Sequence, residues 1–250
     1  MLKVLAYLLS IIHFIIFGFL IVIFHPIQVI GYNFFGYNAH RQAVVLLSYL
    51  LIKNFYTLGG KPVFQGFEQI PINKPLIIVA NHQSMYDIAP VVWGFRKNHP
   101  KFISKKELGK NIPSISYNLK KGGSVLIDRK NGSQSIKEIL KLGKKMEAQN
   151  WSVCIFPEGT RSKDGQLKTF QLAGFKTLLK ASPNALIVPF AIDGNYKLHQ
   201  WGNFPLVPFV HLKYTALAPI ERTNSSDEVL LELVKSQLNK QLSNQKMKGI

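Results

Sequence analysis

Cysteine is nearly absent. Cys154 alone among 250 residues excludes a disulfide framework and any zinc or iron–sulfur centre built from cysteines. It lies in the apolar run Val153-Cys154-Ile155-Phe156 and reads as a small buried hydrophobe, so nothing argues for an oxidising compartment. Carboxylates are scarce too, 13 against 31 Lys and Arg for a formal net charge of +18, and the first of them is Glu68. No internal repeat or low-complexity tract interrupts the chain. What remains is 47% hydrophobic and 12% aromatic, which excludes a disordered chain and suits one domain with an appendage.

The charge is unevenly placed. Residues 1–60 hold only Lys3, Arg41 and Lys53, while all 13 acids and the other 28 basic residues lie beyond, an excess of 15. A basic body behind an apolar leader points to an anionic partner: nucleic acid, a lipid surface or a phosphorylated substrate. Residues 4–24 carry no formal charge, and only Ser10, His13 and Gly18 interrupt them. As a helix at ~1.5 Å per residue, this run reaches ~31 Å, enough to cross a bilayer core. No small-x-small cleavage site follows, which disfavours a signal peptide. A second apolar stretch, residues 43–52, is short for a span and reads as interfacial or re-entrant. Residues 1–60 are therefore expected to anchor the protein in a membrane, as one span or as a helical pair embedded from one face. Residues 61–250 form the globular domain.

In that domain, β-branched runs at 75–80, 101–104, 124–127, 151–156, 185–192 and 209–216 alternate with helix-like stretches. Residues 133–149 are the clearest helix, with Ser135 and Glu138 spaced as a capping box and Ile136, Ile139, Leu140 and Leu142 as its apolar face. Residues 227–242 form another, and 243–250 read as a frayed tail. The alternation predicts an α/β layer fold.

Four segments carry chemistry. The apolar run 76–80 leads into Asn81-His82-Gln83-Ser84-Met85-Tyr86-Asp87. On one continuous helix His82 and Asp87 would stand ~140° apart, so they meet only if His82 sits in a turn and Asp87 begins the next helix. Such a pair holds one imidazole nitrogen and leaves the other as a base for a substrate hydroxyl. The spacing is equally that of an unremarkable histidine beside a helix-capping aspartate. Phe156-Pro157-Glu158-Gly159-Thr160-Arg161-Ser162 offers donors, and Arg161 can grip phosphate by two hydrogen bonds, with Glu158 on a substrate hydroxyl or on Arg161. Gly123 to Arg129 delivers Arg129 from a third strand end. Pro189, in Val188-Pro189-Phe190, cannot donate to a ladder and implies an edge or a bulge.

Taken in order, an N-H-x4-D block, a G-x-x-x-I-D-R block, F-P-E-G-T-R-S and a V-P block, the chain resembles the glycerolipid acyltransferases that acylate lysophosphatidic acid, over roughly residues 60–220. The resemblance implies an acyltransferase domain at 61–250, an α/β fold with a mixed sheet flanked by helices behind an N-terminal membrane-anchoring helical segment. In that domain His82 is the general base and Asp87 its orienting partner. The reaction implied is direct attack of the sn-2 hydroxyl of 1-acylglycerol-3-phosphate on an acyl-CoA or acyl-carrier-protein thioester, giving phosphatidic acid. Arg129, Glu158, Gly159, Thr160 and Arg161 would shape the substrate site, with Lys105 on phosphate and Pro189 on the acyl side. A thioester is already activated, so positioning and one base suffice, and no cofactor or metal is required. His82, His99, His199 and His211 have no metal-ligand spacing. The resemblance and the leader together place the protein at a membrane, its catalytic domain on the cytoplasmic face that supplies thioesters. Its expected partners are lysophospholipid, acyl thioester, an anionic lipid surface and acyl-carrier protein, and not nucleic acid, since no aromatic–basic stacking platform is visible. One departure stands out: many relatives carry a lysine where this chain has Gln171, which leaves another lysolipid acceptor as the alternative.

Overall fold

A computed structural model describes residues 1–222 and 225–247. Seven strands form one sheet: β1 Lys61–Gln65, β2 Leu76–Ala80, β3 Pro100–Lys105, β4 Val125–Ile127, β5 Ser152–Ile155, β6 Leu186–Asp193 and β7 His211–Ala216. Their spatial order is β1-β7-β6-β2-β5-β3-β4. Every neighbouring pair is parallel except β6 with β7, so β1 and β7 oppose the other five. The helices are α1 Leu2–Lys53, α2 Ile88–Gly94, α3 Ile115–Lys121, α4 Gly132–Gln149, α5 Leu172–Ala181 and α6 Asp227–Met247. This is the α/β arrangement that the alternation of runs predicts, with the mixed sheet that the resemblance implies.

The sheet is covered on both faces, which is why β2 reads Leu-Ile-Ile-Val-Ala without a polar break. Leu76, Ile78 and Ala80 join a core with Val91, Phe95, Phe190 and Tyr214, capped by α1 and α2. Ile77 and Val79 face the opposite core, built with α4, α5 and α6. Cys154 is buried in β5, as its apolar neighbours predict.

Four local expectations need correction or completion. Residues 61–65 escape a search for apolar runs because β1 is an edge strand whose five residues alternate exposed and half-buried and include Pro62. Helix α4 starts one residue before the expected boundary, at Gly132. Its cap is Asn131, whose Oδ1 accepts from Gln134 N at 2.9 Å, and not a Ser135–Glu138 box. Ser135 Oγ donates instead to Asp128 O, Glu138 pairs with Lys141, and Ile136 is exposed while Gly143 and Met146 complete the buried face. Helix α6 continues through Met247, past the expected end at 242, and residues 248–250 lie outside the described residues. Pro189 sits in a central strand and not at an edge, but at a register step: Phe190 faces Ala216 whereas Ile187 faces Ile220, one residue more on the partner side. Of the two expectations, the bulge is the one observed.

Helix α1 is a hairpin. At Gly36 the backbone takes φ 78° and ψ −170°, a conformation open mainly to glycine, and residues 37–53 return along residues 2–35. Of the single helix and the helical pair that the sequence allows, the chain adopts the pair. The pair closes at its base, where Asn54 Nδ2 donates to His13 O at 3.0 Å. The polar interruptions face the protein: Ser10 Oγ accepts from Leu206 N, and His13 Nε2 lies 3.3 Å from Tyr86 Oη. Outward stand Ile15, Phe19, Val22, Phe34 and Phe35, the last two about three-quarters exposed. So much contiguous apolar surface is the mark of a membrane-associated protein.

Candidate active site

Beyond Ala80 the chain leaves the sheet at the C-terminal end of a central parallel strand, where open α/β sheets present functional groups. Asn81 ties this exit to β6, giving Nδ2–H to Ile192 O and receiving Ile192 N–H on Oδ1, both at 2.8 Å. His82 occupies the turn. Asp87 closes a 3₁₀ turn, Met85–Asp87, and caps α2, the arrangement that the five-residue spacing demands.

Asp87 is fully buried and accepts four hydrogen bonds. Oδ2 receives Gln83 N at 2.6 Å, Ser84 N at 2.9 Å and His82 Nδ1 at 2.7 Å, and Oδ1 receives Asn195 Nδ2 at 2.7 Å. An oxygen surrounded by donors makes Nδ1 the protonated nitrogen and leaves the lone pair on Nε2, which has no partner among the described residues. The imidazole also stacks on Phe156, centroids 4.3 Å apart, so its plane is held from the side.

The Phe156–Ser162 run folds over this turn from the end of β5. Glu158 Oε1 accepts from His82 N at 2.8 Å and Oε2 from Lys168 N at 3.2 Å. Burial raises its pKa, and these two amides pull the other way. With both oxygens on backbone amides, Glu158 braces two loops and forms no hydrogen bond or ion pair with Arg161. Ser162 N donates to His82 O at 2.7 Å, a second stitch between the same loops. Arg129 reaches in from the end of β4 and donates through Nη1 to Gly159 O, which joins the second and third blocks. Lys168 Nζ donates to Thr160 Oγ1 at 3.1 Å and to Arg161 O at 2.6 Å. The Arg161 guanidinium is exposed, with no hydrogen bond or ion pair among the described residues.

Lys105 ends β3 opposite Ile127, two residues before Arg129, so both cations occupy one corner of the strand ends. Its side chain is exposed, and it is the neighbouring Lys106 that pairs with Asp128 at 2.5 Å. Pro189 lies inside the sheet beside Val79, buried, with its carbonyl accepting from Leu217 N. Of the nine candidate residues, His82, Asp87, Arg129, Glu158, Gly159, Thr160 and Arg161 converge on one loop cluster. Lys105 stands at its margin and Pro189 beneath it.

Sequence reasoning misses five contributors. Asn195 supports Asp87 from behind and is itself held by Tyr214 Oη, which donates to its Oδ1 at 2.9 Å. Gly194 makes that placement possible, since at φ +92° a Cβ would stand 2.1 Å from His211 O. Lys168 supplies the amine beside Thr160 and Arg161. Phe156 supplies the stacked ring. His199 packs flat on Tyr86 and meets Ser84 Oγ at 2.8 Å, its pKa lowered by burial and by Arg161. Gly194, Asn195 and His199 have no spacing signal, because they reach Ser84 and Asp87 from over 100 residues away in sequence, whereas Phe156 and Lys168 stand within or just after the Glu158 block. We expect Asn195→Leu to lower kcat about tenfold with KM little changed, and to cost ~1–3 kcal/mol, because it strands an oxygen of Asp87 and the Tyr214 hydroxyl. Steady-state kinetics with thermal melting checks this, and wild-type values in both would refute the support role.

Residues 61–193 match the Acyltransferase family. The chloroplastic 1-acyl-sn-glycerol-3-phosphate acyltransferase LPAT1 of Arabidopsis thaliana is 28% identical over 220 residues, which are 88% of this chain and 58% of that protein. A 1-acyl-sn-glycerol-3-phosphate acyltransferase of Helicobacter pylori is 41% identical over 130 residues, half of this chain and 54% of that one. The chain spans about half the length of the curated relatives it matches. The crystal structure of the 1-acyl-sn-glycerophosphate (LPA) acyltransferase PlsC from Thermotoga maritima superposes with a TM-score of 0.79 at 24% identity, covering 98% of each chain, and so shares the fold. The matched segment contains the turn of His82 and Asp87 and the loop of Glu158 and Arg161 that close on one another, and this chain belongs to the Acyltransferase family.

Proposed function

We propose that the protein transfers a fatty acyl group from acyl-CoA or acyl-carrier protein to the sn-2 hydroxyl of 1-acylglycerol-3-phosphate, making phosphatidic acid at the cytoplasmic face of a membrane. The reading rests on His82, whose Nδ1 is fixed on Asp87 at 2.7 Å while Nε2 stands unpartnered. Nε2 accepts the proton of the hydroxyl as its oxygen attacks the thioester carbonyl. The tetrahedral intermediate then collapses, the C–S bond breaks, and the proton held on His82 passes to the departing thiolate. No acyl-enzyme forms, and Asp87 stabilises the imidazolium of the intermediate.

The oxyanion needs donors other than the amides beside His82. Those of residues 82, 83 and 84 are already given to Glu158 and Asp87. The amides of Thr160 and Arg161, on the facing loop, have no acceptor among the described residues and suit the task. Arg129, Arg161 and Lys168 would hold the acceptor phosphate, with Lys105 at the margin.

The alternative acceptor follows from Gln171, which lies exposed at the start of α5. Lys168, three residues earlier, already places an amine on the Arg161 loop, so the missing lysine does not strip the site of charge, and this favours a phosphate-bearing acceptor. The test offers purified protein acyl-CoA or acyl-carrier-protein donors with a panel of lysolipids and reads products by mass spectrometry. Lysophosphatidic acid should be acylated with the highest kcat/KM. A stronger preference for an acceptor lacking phosphate would overturn this assignment and leave the family membership untouched.

A further inference from the structure

At the opposite end of the sheet a cavity of about 500 Å³ is lined by Arg41, Arg96, Lys97 and His99, with Leu46 and Trp93 in its apolar wall. A narrower cleft behind it shares Arg41, Arg96 and His99 and reaches His40 and Lys101. This is not the reactive end. Pro100 pairs with Ser152 and Ser152 with Leu76, six residues before His82, which puts the two places about 20 Å apart.

The cations gathered here have no counter-ion. None of Arg41, Arg96, Lys97 and Lys101 forms an ion pair among the described residues. Arg41 Nη1 donates to Arg96 O, and Arg96 Nη1 to Trp93 O with its guanidinium 4.2 Å over the indole. Lys101 is only 4% exposed, its Nζ beside Tyr37 Oη and 4.4 Å over Trp151. His40 is 1% exposed, and among the described residues neither its ring nitrogens nor the buried Arg41 Nε has a hydrogen-bond partner. Burial, and after it the Arg41 charge, pushes Lys101 down to about 7, and burial, then Arg41 and Lys101, pushes His99 down to about 4. Unpaired cations around an open cavity, with unpartnered buried nitrogens of Arg41 and, in the cleft behind, His40, are the complement of an anionic oxygen acceptor.

We infer that this cavity binds the phosphate of an anionic membrane phospholipid, with Arg41 and Arg96 on its oxygens, Lys97 at the rim, and the first acyl carbons against Leu46 and Trp93. The lipid origin follows from position. Arg41 belongs to the same hairpin whose tip exposes Phe34 and Phe35, and Leu46, one turn past Arg41, is half exposed toward the same surroundings. The inference rests on membrane association of α1 and is independent of the acyl-transfer chemistry.

The test titrates the full-length protein, in neutral detergent, with dihexanoyl-phosphatidylglycerol, dihexanoyl-phosphatidylcholine or inorganic phosphate, reading calorimetric affinity and melting temperature. Phosphatidylglycerol should bind saturably and about tenfold tighter than phosphatidylcholine, and Arg96→Gln should weaken it about tenfold. Lys97→Gln, an exposed change without structural contacts, should weaken it several-fold. Acyl transfer to lysophosphatidic acid should stay within twofold in both variants, which separates failure here from failure of the proposed reaction. Equal binding of the two lipids, or unchanged phosphatidylglycerol affinity in both variants, would overturn the site. Inorganic phosphate binding as tightly as phosphatidylglycerol would overturn the lipid origin.

Discussion

Replacing His82 by alanine should lower acyl transfer about 10²- to 10⁴-fold, the range expected when a positioned general base is removed. The loss should fall on kcat, with KM for the acceptor little changed, because the cationic groups of the facing loop remain. Folding should survive. Asp87 keeps three of its four donors, the amides of Gln83 and Ser84 and the side chain of Asn195, so no buried carboxylate is left bare. The cost is the stacking on Phe156 and one hydrogen bond, about 1 to 2 kcal/mol. Single-turnover rates beside calorimetric melting separate the two effects. A rate within tenfold of wild type in a folded variant would remove His82 from the chemistry and the proposed mechanism with it.

Deleting residues 1–53 should have the largest effect on stability. A simple anchor could be cut away to leave a soluble enzyme, but this hairpin shares the core of the sheet. Leu9, Phe14, Phe17, Val44 and Val45 pack directly on the cluster that contains Ile78, Phe95 and Phe190. Full burial of such a side chain is worth ~1.5–3 kcal/mol and these five are partly buried, so together they represent several kcal/mol, a large fraction of the stability of an ordinary domain. The truncated chain should therefore aggregate or lose its cooperative melt, even in detergent. Polar substitutions at Ile15 and Phe19, on the outward face, should instead spare the melt and weaken membrane retention. Recovery of a folded, cooperatively melting 54–250 fragment would overturn this account of the hairpin.

The contrast between these experiments follows what was legible in the sequence. The reactive turn was readable because its parts are contiguous: an apolar strand, a histidine, and an aspartate five residues on that must open the next helix. The Glu158–Arg161 loop was readable as a place, but the job of Glu158 was not. Which of several donors a buried carboxylate meets depends on how two distant strands align, and here the answer is the amides of His82 and Lys168. Asn195 and Tyr214 were invisible for the same reason, since β6 and β7 bring them behind Asp87 from over 100 residues away. Pro189 announced its register step because a missing N–H is a local property. The hairpin was half legible. Two apolar stretches stood out, but the reversal between them rests on the backbone of a single residue, Gly36. Ser135 misled because a cap depends on where the first helical turn starts, and Asn131, four residues earlier, had already provided it.

The direction in which the hairpin lies has a kinetic meaning. Its base meets Tyr86, beside the reactive turn, and its tip meets Lys101 and Trp151 at the far end of the strands. The hairpin therefore runs along the strands, and a leaflet wetting its outward flank lies alongside the sheet, level with the turn that holds His82. On the proposed reaction, a lysolipid would reach Nε2 by lateral diffusion within the leaflet, without leaving it. Turnover should then follow its mole fraction among the surrounding lipids, and diluting the surface with inert lipid should slow the reaction even when the amount per volume is held constant.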